Sequence, residues 1–93
     1  MSTDQNIVTL HLIIHGRVQG VCFRDSLRRE AQKLSLTGWV RNCTNGTVEA
    51  TIQGKSCDVN TMVNWAQHGP ELAQVERVDS EVAVGDYKNF SIL

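Results

Sequence analysis

The residues best equipped for chemistry form one run near the N-terminus, Gly16-Arg17-Val18-Gln19-Gly20-Val21-Cys22-Phe23-Arg24. Ahead of it lies the apolar series Leu10, Leu12, Ile13, Ile14. After it Phe23, Leu27, Ala31 and Leu34 recur at helical spacing, so a strand passes through a two-glycine loop into a helix start. That arrangement suits an anion. The first turn of a helix presents backbone N–H groups with no acceptor and roughly half a unit of positive charge, and glycines let the backbone close around a ligand. Arg24 adds a planar fork of donors matched to phosphate or carboxylate. The loop amides from Gly20 through Val21, Cys22 and Phe23 to Arg24, together with the Arg24 guanidinium, form the expected anion cradle.

The elements that must position this loop are legible in outline. Residues near 7–15 alternate Val8, Leu10, Leu12 and Ile14 with Thr9, His11 and His15, the period of a strand with one buried face; Ile13 interrupts it. A helix is expected from Phe23 to Leu34, with Asp25 in its first turn spaced to pair with Arg28 and Arg29, closing near Gly38. Trp39 to Cys43 and Thr47 to Gln53 read as two strands joined at Asn45-Gly46, a turn in which both residues tolerate positive φ. Ser56 or Asp58 is placed to cap a second helix on which Val59, Met62, Val63 and Ala66 repeat at i, i+3, i+4, i+7, and Gly69-Pro70 ends it. Val75 to Val84 and Asn89 to Leu93 supply a fourth strand and a short terminal one.

The order predicts an α+β fold of the ferredoxin-like, split βαβ type (βαββαβ), an antiparallel sheet with two helices on one face. In such a unit the first two strands run parallel with the third between them. The loop after strand one and Asn42 at the end of strand two therefore meet at one sheet edge.

The same residues resemble the acylphosphatase signature, in which Gly-x-Val-Gln-Gly-Val-x-Phe-Arg is the phosphate-binding loop. Gly38-Trp39-Val40-Arg41-Asn42 with Gly46 four residues on, Gly69-Pro70 before Val75-Glu76-Arg77-Val78, and Phe90-Ser91-Ile92 extend the resemblance over nearly the whole chain. The resemblance implies hydrolysis of small acyl phosphates to carboxylate and inorganic phosphate, with Arg24 and Asn42 as the catalytic pair. Chemistry agrees. A carboxylate leaves as a stable anion, so positioning and charge stabilisation suffice without a general acid. The Asn42 carboxamide accepts through oxygen and donates through nitrogen, which fits it to hold a water in line with the leaving group. No nearby His or carboxylate stands out as a base, so the proton from water is expected to pass to the substrate itself. Cys22 lacks an orienting His and occupies a position that varies in the resembling family, so the loop is assigned no thiol nucleophile.

Composition narrows the partners. With 93 residues the chain is expected to be a single domain, 1–93, with a modest core. Nine Lys and Arg against ten Asp and Glu give no general attraction to nucleic acid or to anionic membrane. The polar start Met1–Asn6 and the lack of any long apolar run point to a cytoplasmic protein, and nothing suggests more than a monomer. Cys22, Cys43 and Cys57 are odd in number without Cys-x-x-Cys spacing, which speaks for reduced thiols. No metal or cofactor is expected: His11 and His15 stand ~13 Å apart along a strand and are read as surface residues. Trp39 and Trp65 are read as core or core-edge residues. Arg17, Arg28 and Arg29 are read as solvated. An RNA-binding module shares the element order, but the central strands carry no Phe or Tyr to stack bases. A non-catalytic module that binds acyl or carbamoyl phosphate is opposed by the intact pair Arg24 and Asn42.

Overall fold

The computed structural model describes residues 6–93, so all but the last residue of the polar start lies outside the described part. Strand β1 (Ile7–Arg17) leads to helix α1 (Phe23–Lys33), then β2 (Thr37–Asn42), β3 (Val48–Lys55), α2 (Ser56–Ala66), β4 (Gln74–Val82) and β5 (Phe90–Ile92). The sheet order is β4-β1-β3-β2-β5. Strand β3 runs antiparallel to both β1 and β2, which makes those two parallel across it. Their C-terminal ends share one edge, as the element order requires.

The sheet is not wholly antiparallel, because β5 pairs parallel with β2. The reason is the crossing that precedes it. Strand β4 pairs with the far edge of β1, and the chain must then pass the sheet end to reach β2. Gln53 pins that crossing: its amide donates to Thr9 Oγ1 (2.8 Å) and to the Gly85 carbonyl (2.7 Å), while its oxygen accepts from the Tyr87 N–H (3.2 Å).

Alternation in β1 assigns the faces. Leu12 and Ile14 are fully buried beneath the helices, with Val40, Val48, Ala50 and Ile52 beside them. Helix α1 contributes Phe23, Leu27 and Ala31, and α2 contributes Val59, Met62 and Ala66. Each large apolar side chain removed from water here stabilises the fold by about 1.5–3 kcal/mol. The odd residues of β1 line the helix-free face, where Ile13 stands opposite Glu49 and Asp79, so its interruption of the pattern is not a change of period.

Several local expectations are corrected. Helix α1 closes not at Gly38 but at Ser35, whose φ of 57° lets the Leu36 N–H reach the Ala31 carbonyl at 2.9 Å. Gly38 lies within β2 at φ 136°, where a side chain would overlap the Thr51 carbonyl. In the β2–β3 turn only Gly46 has positive φ; Asn45 works through its side chain, accepting from the Thr47 N–H and hydroxyl at 3.1 and 2.7 Å. Helix α2 begins at Ser56 with Lys55 as its N-cap, not with Ser56 or Asp58 in that position. Trp39 belongs to the helix-free face and not to the core, 6.2 Å from the His11 ring and beneath Arg41.

Candidate active site

The loop between β1 and α1 is anchored from inside. Val18, Val21 and Phe23 are buried, so the side chains of Val21 and Phe23 serve packing. The Phe23 ring meets Trp65 of α2 edge-on at 5.5 Å and leaves no room for a side chain on Gly69. Gly20 is needed for conformation: its φ is 74°, yet a Cβ there would touch nothing within 4 Å. Gly16 serves close approach, since any side chain would strike the Gln74 carbonyl of β4, at the point where the β1–β4 register shifts.

Cys22 is the N-cap of α1 in the left-handed region, φ 63° and ψ 27°. The first helical bond of the turn is Ser26 N–H to the Cys22 carbonyl at 3.1 Å. The amides before Ser26 have no helical acceptor, which is the condition for anion capture at a helix start. Asp25 sits in that first turn but is neutralised: Arg29 and Arg28 both donate to it, Arg28 at 3.4 Å. The hydrogen bond from Arg29, with its charge, holds the Asp25 carboxyl below its ordinary value. Arg28 and Arg29 are thus engaged with Asp25 and not simply solvated. Arg24, half-buried in the first turn of α1, forms no ion pair among the described residues.

Asn42 closes β2 opposite Val48. Its Oδ1 is buried and accepts no hydrogen bond from the described residues. A buried carbonyl oxygen left without a donor costs about 1–3 kcal/mol. Its neighbours on the helix-free face are held by Glu49, which accepts from Arg41 Nε at 2.5 Å, from the Cys43 thiol at 3.7 Å, and meets His11 Nε2 at 2.6 Å. Burial raises the Glu49 carboxyl, but the hydrogen bonds from His11 and Arg41 outweigh it and leave it below its ordinary value.

One contributor has no assigned role in the sequence reading. Gln19 Nε2 donates to the Cys43 carbonyl at 2.7 Å and the Thr47 carbonyl at 2.9 Å, joining the loop to the turn beside Asn42. Only its place between Val18 and Gly20 hints at this, because a glutamine in a polar loop is by itself unremarkable. His11 and His15 lie on the helix-free face, as expected, with His15 against Asp79 at 2.9 Å. Among the described residues no group of three or more His, Cys, Asp or Glu is arranged to hold a metal. None of the three cysteines is in a disulfide among the described residues.

Fold and loop together define a ferredoxin-like α+β protein whose first strand enters its first helix through a glycine turn beside the end of a parallel strand. The acylphosphatase family model matches residues 10–92. An acylphosphatase of Thiobacillus denitrificans is 56% identical over 82 residues, covering 88% of this chain and 92% of that one. The solved acylphosphatase structures from Coxiella burnetii and Bacillus subtilis superpose with TM-scores of 0.92 and 0.89 at 38% and 30% identity. Each covers 95% of this chain, over 94% and 99% of their own. The chain belongs to the acylphosphatase family, whose reaction is the hydrolysis of acyl phosphates.

Proposed function

We propose that this chain hydrolyses the carboxyl–phosphate bond of small acyl phosphates with the Gly20–Arg24 turn as phosphate cradle, Arg24 as charge stabiliser and Asn42 as the residue that places the water. The observation that carries this reading is the Asn42 carboxamide, whose buried Oδ1 has no donor among the described residues. A water donating to Oδ1 satisfies that oxygen and is held with a lone pair free for attack. The loop amides and Arg24 bind the phosphoryl oxygens as charge gathers on them in a loose transition state, and the carboxylate departs without protonation. The proton of the water goes to the phosphoryl oxygens.

This scheme uses no metal, because Arg24 and the amides supply the positive field. The same reading takes the chain as one domain acting as a monomer in the cytoplasm without a nucleic-acid partner. Three cysteines outside any disulfide among the described residues, near end-to-end coverage of the relatives and the charged groups on the helix-free face support it. The test is Arg24→Ala with benzoyl phosphate and acetyl phosphate as substrates. Turnover and inhibition by inorganic phosphate should both weaken, the binding part alone by about 10-fold or more, since a charged hydrogen bond of ~1.5–3 kcal/mol is lost. Unchanged phosphate inhibition would remove Arg24 from the cradle.

A further inference from the structure

We infer that Gln19 is a positioning residue that sets the separation between the phosphate cradle and the water held by Asn42; this rests on the proposed roles of the Gly20–Arg24 turn and Asn42. The two halves of that site come from different parts of the chain. The cradle starts at Gly20, directly after Gln19, while Asn42 directly precedes Cys43. Backbone pairing alone does not join them, because β3 lies between β1 and β2. Gln19 spans that gap at the end where the chemistry occurs.

Its geometry leaves little slack. The side-chain amide has two hydrogens, and each is used: one on the Cys43 carbonyl at 2.7 Å, the other on the Thr47 carbonyl at 2.9 Å. Those carbonyls form the neck of the β2–β3 turn. The Cys43 oxygen also accepts from the Gly46 N–H at 3.2 Å, and the Thr47 oxygen from the Cys43 N–H at 2.9 Å. Each oxygen therefore has both lone pairs occupied. Thr47 is further held through its N–H and hydroxyl by Asn45. From the loop side, Val18 and Val21 are buried on either side of Gln19, so the backbone that carries the amide is anchored. The result is a brace between two rigid pieces, ending one residue from Gly20 and one residue from Asn42. In-line attack depends on the distance from water to phosphorus, where an error of about 1 Å costs on the order of 10²-fold in rate.

A brace of this kind predicts a defect in turnover that passes through Asn42. Gln19→Met keeps the stem and removes both donors; it should lower turnover on benzoyl phosphate by about 10-fold or more, with inhibition by inorganic phosphate within about 3-fold of wild type. Introduced into Asn42→Ala, the same change should cause little further loss, because the residue it serves is gone. Gln19→Glu supplies a donor only when its carboxyl is protonated, so its turnover relative to wild type should rise as pH is lowered. If Gln19→Met does not fold, the pH profile of Gln19→Glu carries the test, and a flat ratio overturns the brace. Wild-type turnover in Gln19→Met, or losses in the double variant that multiply in full, also overturn it. Near-normal turnover in Asn42→Ala alone defeats instead the reading of Asn42, so the two failures are distinct.

Discussion

Replacing Asn42 with alanine separates chemistry from folding. The Oδ1 of Asn42 is buried and has no donor among the described residues, so its loss breaks no hydrogen bond from them to that oxygen. When no water sits on that oxygen, its removal also lifts a burial cost of about 1–3 kcal/mol. Against this stands a small loss of packing at the end of β2. The net change in stability should lie within about 1 kcal/mol, a shift in Tm of no more than about 4–8 °C for a domain of this size. Catalysis should respond very differently. The water that Oδ1 would hold becomes free to wander, and loss of orientation of that kind costs at least ~10²-fold, about 2.7 kcal/mol of barrier. The assay is release of inorganic phosphate from benzoyl phosphate across substrate concentrations, with inorganic phosphate as competing ligand and thermal melts run in parallel. Turnover should collapse while the phosphate inhibition constant stays within a few-fold of wild type. Near-normal turnover would refute the placement of water by Asn42. Loss of phosphate binding as severe as that expected for Arg24→Ala would make Asn42 a phosphate ligand instead.

The glycines should rank by what their missing side chain would meet. Gly16→Ala and Gly38→Ala drive a Cβ into the Gln74 and Thr51 carbonyls and should cost upwards of ~2 kcal/mol in urea denaturation, whereas Gly20→Ala meets open space and should cost only the ~1–2 kcal/mol of its left-handed backbone. Equal losses at all three would contradict the contact argument. Stability should fall in acid. The Asp25 carboxyl is lowered by the Arg29 hydrogen bond and Asp79 by the Arg77 hydrogen bond, while at Glu49 the His11 and Arg41 bonds outweigh burial. With folded values below unfolded ones, their contribution is complete above the ordinary carboxylate value near ~4 and disappears as pH drops through the folded values. Melts should hold nearly level from pH 7 to about 5 and decline below about 4; a decline centred near pH 6 would show that these carboxylates do not govern it. Finally, activity should persist after dialysis against a chelator, and loss restored by a divalent ion would introduce a metal into the mechanism.

What the chain states by itself is whatever depends on short-range spacing. The alternation Leu10, Leu12, Ile14 names the buried face of β1. The repeat Phe23, Leu27, Ala31 names that of α1, and the glycine turn into Arg24 marks where that helix starts, because each follows from short-range spacing. Even the proximity of the loop to Asn42 is legible, since parallel β1 and β2 must end at the same edge. Other features depended on groups far apart in sequence. Ser35 rather than Gly38 ends α1, because Gly38 is claimed by the close passage of Thr51. Trp39 faces away from the core because the pleat that buries Val40 turns its neighbour outward. Gln19 reads as an ordinary polar loop residue until β3 brings the Cys43–Thr47 turn within reach of its amide. Sequence spacing determines which face a residue occupies; which atoms a donor finds there is decided by the tertiary packing that brings in carbonyls 24 and 28 residues away, and hydrogen bonds, effective only over about 3 Å, register nothing short of that placement.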